Sequence, residues 1–170
     1  MLVDTSIVTN RFYLRCLLPS DVSEHYVAWF DQEQIRKYIQ NQPNPNAKLQ
    51  DLKKYVAFHN ERDDSLLLGI FSKCTDQHIG NIKFEPIKFA HQEVYMGVLI
   101  GDPNWRGQNV FGEVFQASKL FLFEKFNIIN FMLGVEEANT VAVAAYKKAG
   151  FVVLPESKNG ISMLMNFTLS

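Results

Sequence analysis

Apolar and polar residues alternate through Arg11–Leu18 (RFYLRCLL), a period of two that predicts a strand. PSDVSEHYVAWFDQEQIRKYI follows with helical spacing and predicts one or two helices, with Ser20 as the cap. QNQPNPNAK carries two prolines and three asparagines and predicts a loop. LQDLKKYVAFHNE places Leu49, Leu52, Val56 and Ala57 on one side of an amphipathic helix. SLLLGIFSK, HIGNIKFEPIKF and QEVYMGVLIG predict three successive strands, with CTDQ turning between the first two. DPNWRG turns into the long helix VFGEVFQASKLFLFEKF; IINFMLGVE is a buried strand. NTVAVAAYKKAGF then starts a short helix that Gly150 stops, and GFVVLPE, a turn at SKNG and ISMLMNFTL close the chain as strands. This order predicts an α/β fold with a mostly antiparallel sheet of about seven strands and crossover helices in its second half.

Strand parity in QEVYMGVLIG sets Val94, Met96, Val98 and Ile100 on one wholly apolar face, which must be core. Glu93, Tyr95, Gly97 and Leu99 share the other, open face. In the last helix, Asn139 and Tyr146 stand nearly two turns apart on one line, with Ala142 keeping the groove between them shallow. That pair is either a cap with a half-buried phenol, or two contacts to one ligand.

A chain of 170 residues, 47% of them apolar, suits one globular domain over residues 1–170. The net charge of −1, with Lys and Arg scattered, argues against a nucleic-acid surface. No apolar run is long enough for a bilayer span, and MLVDTSIVTN lacks the pattern of a secretory signal. Cys16 and Cys74 have neither metal-ligand nor disulfide spacing and read as reduced core thiols, so a cytoplasmic protein without metal is expected.

The turn from the strand ending VLIG through DPNWRGQNVFG into a helix is a ready anion site, where free N–H groups and the helix dipole favour a phosphate and Arg106 adds charge. Joined to the Asn139–Tyr146 helix one strand later, it resembles the second half of the GNAT acyltransferase superfamily. Asn139, Ala142, Tyr146, Lys148, Gly150 and Phe151 stand in the positions of that family's acetyl-CoA motif. VAWFDQEQIRKYI resembles the W-x-N-D-x-x-V-x-x-Y helix of the RimJ/RimL-like branch. HIGNIKFEPI and GVLIGDPNWRGQN are similar to branch members linked to amino-sugar and polysaccharide pathways. The resemblance runs from about Arg11 to Leu169.

It implies a sheet splayed between its fourth and fifth strands, with acetyl-CoA as cosubstrate between them. Val98, Leu99 and Ile100 would pair with the pantetheine arm. Arg106, Gly107, Gln108, Asn109, Val110, Phe111 and Gly112 would hold the pyrophosphate. Asn139 would hold the cosubstrate or a water, and Tyr146 would face the departing sulfur. Two positions depart from the family pattern. Asn109 and Phe111 replace small residues of the loop; Asn tolerates left-handed geometry, whereas Phe111 is expected to crowd the cofactor site. Tyr95 stands where relatives often carry a carboxylate base, leaving Glu93 and Tyr95 as the base candidates, with His78 and Asp102 weaker. Trp29, Tyr38, Phe84 and Tyr95 are the rings expected to stack on an acceptor. The expected acceptor is a primary amine on a small molecule such as a nucleotide-linked amino sugar. The alternatives are a protein N-terminus, as for ribosomal-protein acetyltransferases of the branch, or a non-catalytic acyl-CoA-binding role. A homodimer stays open.

Overall fold

A computed structural model describes residues 6–38, 48–155 and 162–169. Most of the expected loop QNQPNPNAK and the whole SKNG turn lie outside these residues. Eight strands form one sheet in the order β1-β2-β3-β4-β5-β6-β8-β7. They are β1 (Ile7–Val8), β2 (Phe12–Cys16), β3 (Leu66–Ser72), β4 (His78–Lys88), β5 (Glu93–Ile100), β6 (Asn130–Glu136), β7 (Val152–Val153) and β8 (Ser162–Thr168). Neighbours are antiparallel except β5 and β6, which run parallel. The strand beyond the expected seven is β1, a two-residue edge piece too short to show a period. The expected fourth and fifth strands are therefore β5 and β6.

Helices α1 (Glu24–Trp29), α2 (Glu33–Arg36) and α3 (Leu49–Glu61) precede β3, while α4 (Val110–Phe126) and α5 (Thr140–Lys148) flank β6 in sequence. The expected spans of α3 and α4 match the observed ones. The cap of α1 is Ser23, whose hydroxyl accepts from the Tyr26 N–H at 3.3 Å, because Ser20 is taken up in a short 3₁₀ turn over Pro19–Asp21.

Two cores sandwich the sheet. Leu14, Leu68, Ile82, Phe84, Val94 and Phe131 face α4 and α5 with Val114, Phe115, Val143 and Tyr146. Leu17, Leu67 and Phe71 pack on the opposite face with Tyr26, Trp29, Leu52 and Val56. β3 is covered on both faces, so all seven of its residues are buried and it reads as a continuous apolar run. Of the β5 face expected to be core, Val94 and Met96 are buried, while Val98 and Ile100 are half-buried against the same core. Cys16 is buried, but Cys74 lies exposed in the β3–β4 turn, so it is not a core thiol.

Candidate active site

The parallel ladder between β5 and β6 lasts three residues: Glu93↔Asn130, Val94↔Phe131 and Tyr95↔Met132. Past Tyr95 and Met132 the strands part, while β5 stays paired to β4 as far as Ile100 and β6 to β8 as far as Glu136. Two residues beyond the last pair, each strand carries a glycine, Gly97 and Gly134. A Cβ on either would meet nothing within 4 Å. A cleft therefore opens between two intact half-sheets, with Tyr95 at its apex.

The β5 backbone supplies one wall. The Gly101 N–H donates to the Ile79 carbonyl at 3.0 Å. By the alternation of an antiparallel ladder, Leu99 and Gly97 then direct their N–H and C=O at β4, and Met96, Val98 and Ile100 direct theirs into the cleft. Of the three residues expected to pair with a pantetheine arm, Val98 and Ile100 offer this edge, and Leu99 does not. Its side chain packs instead on the α1–α3 core.

At the end of β5 the chain turns into α4. Gly107 has φ +71° and Asn109 sits at φ 55°, ψ 31°, the left-handed conformation its amide side chain tolerates. A Cβ on Gly112 would stand 2.8 Å from the Asn109 Oδ1, so glycine there lets the Asn109 amide lie over the first turn. The first intrahelical bond runs from the Glu113 N–H to the Asn109 carbonyl at 3.3 Å. The amides of Val110, Phe111 and Gly112 precede it and have no partner within the helix. This backbone fits a bound phosphate.

Two side chains of the loop are not where the sequence suggests. Phe111 is buried, stacked on Phe115 at 5.4 Å and edge-on to Tyr146 at 4.9 Å. It does not crowd the phosphate loop, because as the second helical residue it points inward while its amide points out. Arg106 is engaged: Nε donates to the Ile100 carbonyl at 3.2 Å, and its terminal nitrogens to the Gly101 carbonyl at 3.0 Å, to Gln34 Oε1 at 3.2 Å and to Gln32 Oε1. It ties the end of β5 to the α1–α2 segment, and partial burial draws its pKa down from the usual arginine range. A second cation, Arg11, reaches the loop from just before β2, donating to the Gln108 carbonyl at 2.9 Å and pairing with Glu113 at 2.7 Å. No local pattern signals a contact between residues 97 apart.

On α5, the Asn139 Oδ1 accepts from the Ala142 N–H at 3.3 Å, so Asn139 caps the helix with its oxygen and keeps its NH₂ for other partners. Tyr146 is buried, not half-buried, and burial pushes its phenol up to about 12. Its ring is held edge-on by Phe111.

Among the acceptor rings, Phe84 and Trp29 are 0% and 1% exposed and belong to the two cores, so neither offers a face for stacking. A Cβ on Gly101 would enter the Trp29 ring, at 1.8 Å from it, which shows what that ring packs against. Tyr95 remains at the apex. Tyr38 arches from the end of α2 to donate to the Ala138 carbonyl at 3.3 Å, beside Asn139. His78 is half-buried among Tyr26, Trp29 and Phe71 and bonded to Asn81 at 2.8 Å, and Asp102 caps the Pro103–Trp105 turn, so each is engaged within the fold.

Neither carboxylate next to Tyr95 is unpaired. Glu93 meets Lys88 at 2.7 Å, and the Lys88 ammonium lies 4.9 Å from the centre of the Tyr95 ring. Glu85, in the register shift opposite Tyr95, meets Arg62 at 2.8 Å, Lys83 at 3.0 Å and His59 at 3.2 Å. Sequence reading missed this cluster, since α3 and β4 approach each other only in three dimensions. Across the ladder on the same face, Met132 is followed by Asn166, whose Oδ1 is buried with no hydrogen bond among the described residues. No group of three or more His, Cys, Asp or Glu among the described residues could hold a metal ion, and no described helix is long and apolar enough to cross a membrane.

The architecture matches known proteins. A RimL ribosomal L7/L12 α-N-protein acetyltransferase in complex with coenzyme A superposes with a TM-score of 0.83 at 16% identity, covering 97% of this chain and 98% of that one. A spermidine N-acetyltransferase SpeG chimera from Vibrio cholerae and hSSAT gives 0.78 at 18%, covering 94% and 96%. The microcin C7 self-immunity acetyltransferase MccE, in complex with acetyl-CoA and AMP, gives 0.76 at 17%, covering 94% and 93%. No curated protein sequence matches the chain. These likenesses share a fold across different acceptors and do not choose among them. The profile of the Acetyltransferase (GNAT) domain matches residues 11–152, so a split sheet, an open helix N-terminus and a buried phenol together belong to a member of the GNAT acetyltransferase family, the acetyl-CoA-dependent N-acetyltransferases.

Proposed function

We propose that the protein acetylates a primary amine of low pKa, with a small-molecule amine such as a nucleotide-linked amino sugar as the first acceptor reading. The observation that carries it is the ion pairing of Glu93 and Glu85 beside the apex. An amine attacks only when neutral, and carboxylate oxygens held at 2.7–3.0 Å by lysine or arginine are not free to take its proton. An acceptor that is substantially neutral near pH 7–8 therefore suits the site, as an α-amine with a pKa of about 7.7–8.0 does.

Acetyl-CoA, when bound, supplies the acetyl group as a thioester. The amides of Val110–Gly112 and the Gly107–Asn109 turn would hold its pyrophosphate, and the Val98 and Ile100 edge its pantetheine arm. Asn139 contributes its NH₂. Tyr146 stays protonated and donates to the sulfur. Tyr95 meets the acceptor and orders the water that receives its proton, while Glu93 serves as counter-ion to Lys88.

A peptide or protein N-terminus is the second reading. It gains from the burial of Trp29 and Phe84, which removes half of the rings expected to stack on a sugar or base. Rates with nucleotide-linked amino sugars, short N-terminal peptides and spermidine, compared as kcat/KM, test both. Spermidine is expected to be the slowest. Faster turnover of the peptides rejects the sugar, and faster turnover of spermidine rejects the low-pKa rule.

A further inference from the structure

We infer that Lys83 and Lys88 sort acceptors by charge, favouring amines whose carrier bears an anionic group, a phosphate or a carboxylate, near the reacting nitrogen. The inference rests on the acetyl-transfer reading of the cleft. Lys83 lies opposite Gly97 in the β4–β5 ladder, next to the space that an added Cβ would leave empty. Lys88 lies over the Tyr95 ring. The two ammonium groups thus flank the apex along the open face.

Each is paired with a carboxylate, so the local charge is balanced, but the balance is uneven in depth. The Lys83 side chain is 24% exposed against 14% for Glu85, and Lys88 40% against 26% for Glu93. Arg62, the other strong cation on Glu85, is 33% exposed. In each pair the ammonium is thus the more solvent-accessible partner. An acceptor over Gly97 lies opposite Lys83 across the β4–β5 ladder, with Lys88 beside Tyr95. When Lys83 turns to an incoming anion, Glu85 keeps the remaining terminal nitrogen of Arg62 at 2.8 Å, while Arg62 holds Asp64 through its other two nitrogens. Burial and the neighbouring cations draw the His59 pKa down, and Tyr55 packs against Lys83 as a neutral ring, so neither adds negative charge. Asp64, a further carboxylate of the cluster, is taken up by Arg62 at 2.8 Å. A polycation would have to displace these ammonium groups.

The test uses matched acceptors with the whole protein. One pair is a nucleoside-diphosphate-linked amino sugar and the methyl glycoside of the same sugar. The other is a Ser-Glu and a Ser-Lys dipeptide amide. In the wild type the anionic member of a pair should be favoured about tenfold or more in kcat/KM, and Lys83→Glu should erase or reverse that ratio. The two pairs distinguish a phosphate carrier from a carboxylate one. Lys83→Met, which adds no negative charge beside Glu85, should fall between, and Lys88→Met should lower the same ratio. Calorimetric titration of each acceptor with CoA present reads the preference without turnover. A ratio near one in the wild type, or one unmoved by both Lys83 variants, overturns the inference, even where acetyl transfer itself stands. Preferential binding of the anionic member, lost in Lys83→Glu, supports it even where no acceptor is acetylated, and that outcome instead counts against the acetyl-transfer reading.

Discussion

Replacing Tyr146 with Phe removes one hydroxyl and leaves the ring against Phe111. Burial pushes that phenol up to about 12. A thiol near 8.5 lies about 3.5 units below, so full proton transfer from Tyr146 to a departing thiolate is uphill by about 5 kcal/mol. Tyr146 therefore acts by donating a hydrogen bond to developing negative charge, an interaction worth about 1.5–3 kcal/mol. Its loss should lower kcat by about 10- to 150-fold. The KM for acetyl-CoA should hardly move, because the interaction strengthens only as the thiolate forms. The ring keeps its edge-on packing against Phe111, so Tm should stay within about 2 °C. The pH dependence has a definite sign. A raised phenol pKa keeps the neutral donor through the alkaline range, so loss of kcat from Tyr146 ionisation should begin only near pH 11–12, beyond the stability of most assays. Steady-state rates at saturating acceptor, with a melting curve for each protein, measure all of this. A kcat within about twofold of wild type would refute the role. So would an alkaline limb near pH 10 that vanishes in Tyr146→Phe.

Phe111→Ala should cost about 3 kcal/mol or more and lower Tm by about 6–12 °C, since it empties a buried position stacked on Phe115; a Tm within about 3 °C of wild type would show the ring is not core. CoA at 100 times its dissociation constant should add about 2.7 kcal/mol, or about 5–11 °C in a thermal-shift assay, and no shift at millimolar CoA would remove the phosphate site from the loop. His78 is kept neutral by burial, which lowers its pKa from 6.5 to about 4. Its unfolded form takes up a proton first, so its contribution is complete above pH 6.5 and lost as pH falls toward 4, by about 3 kcal/mol at most. Melting temperatures from pH 7 to 4 should fall accordingly, and less steeply in His78→Gln.

Local pattern was enough to place most elements. Period two marked β2 and β5, the 3.6-residue period marked α3, and α4 reads as a long helix after the DPNWRG turn, which set the order of the second half. It was also enough for features that a helix or turn settles within a few residues. Asn109 in the left-handed turn and the alignment of Asn139 with Tyr146 are of this kind. What an element packs against is not a local property. Periodicity tells which side of a strand is apolar but not whether a helix also covers the other side. Phe84 and Trp29 therefore read as available rings although each lies in one of two cores on opposite sheet faces. The same holds for charge. Arg106 is committed to Gln32 and Gln34, more than 70 residues away, Arg11 reaches Gln108 across 97, and Glu85 gathers cations from α3 and β4. Phe111 shows the limit within a single turn of helix. Its amide belongs to the anion site that the glycine pattern announced, while its ring belongs to a core that exists only once α5 docks beside α4 and brings Tyr146 against it.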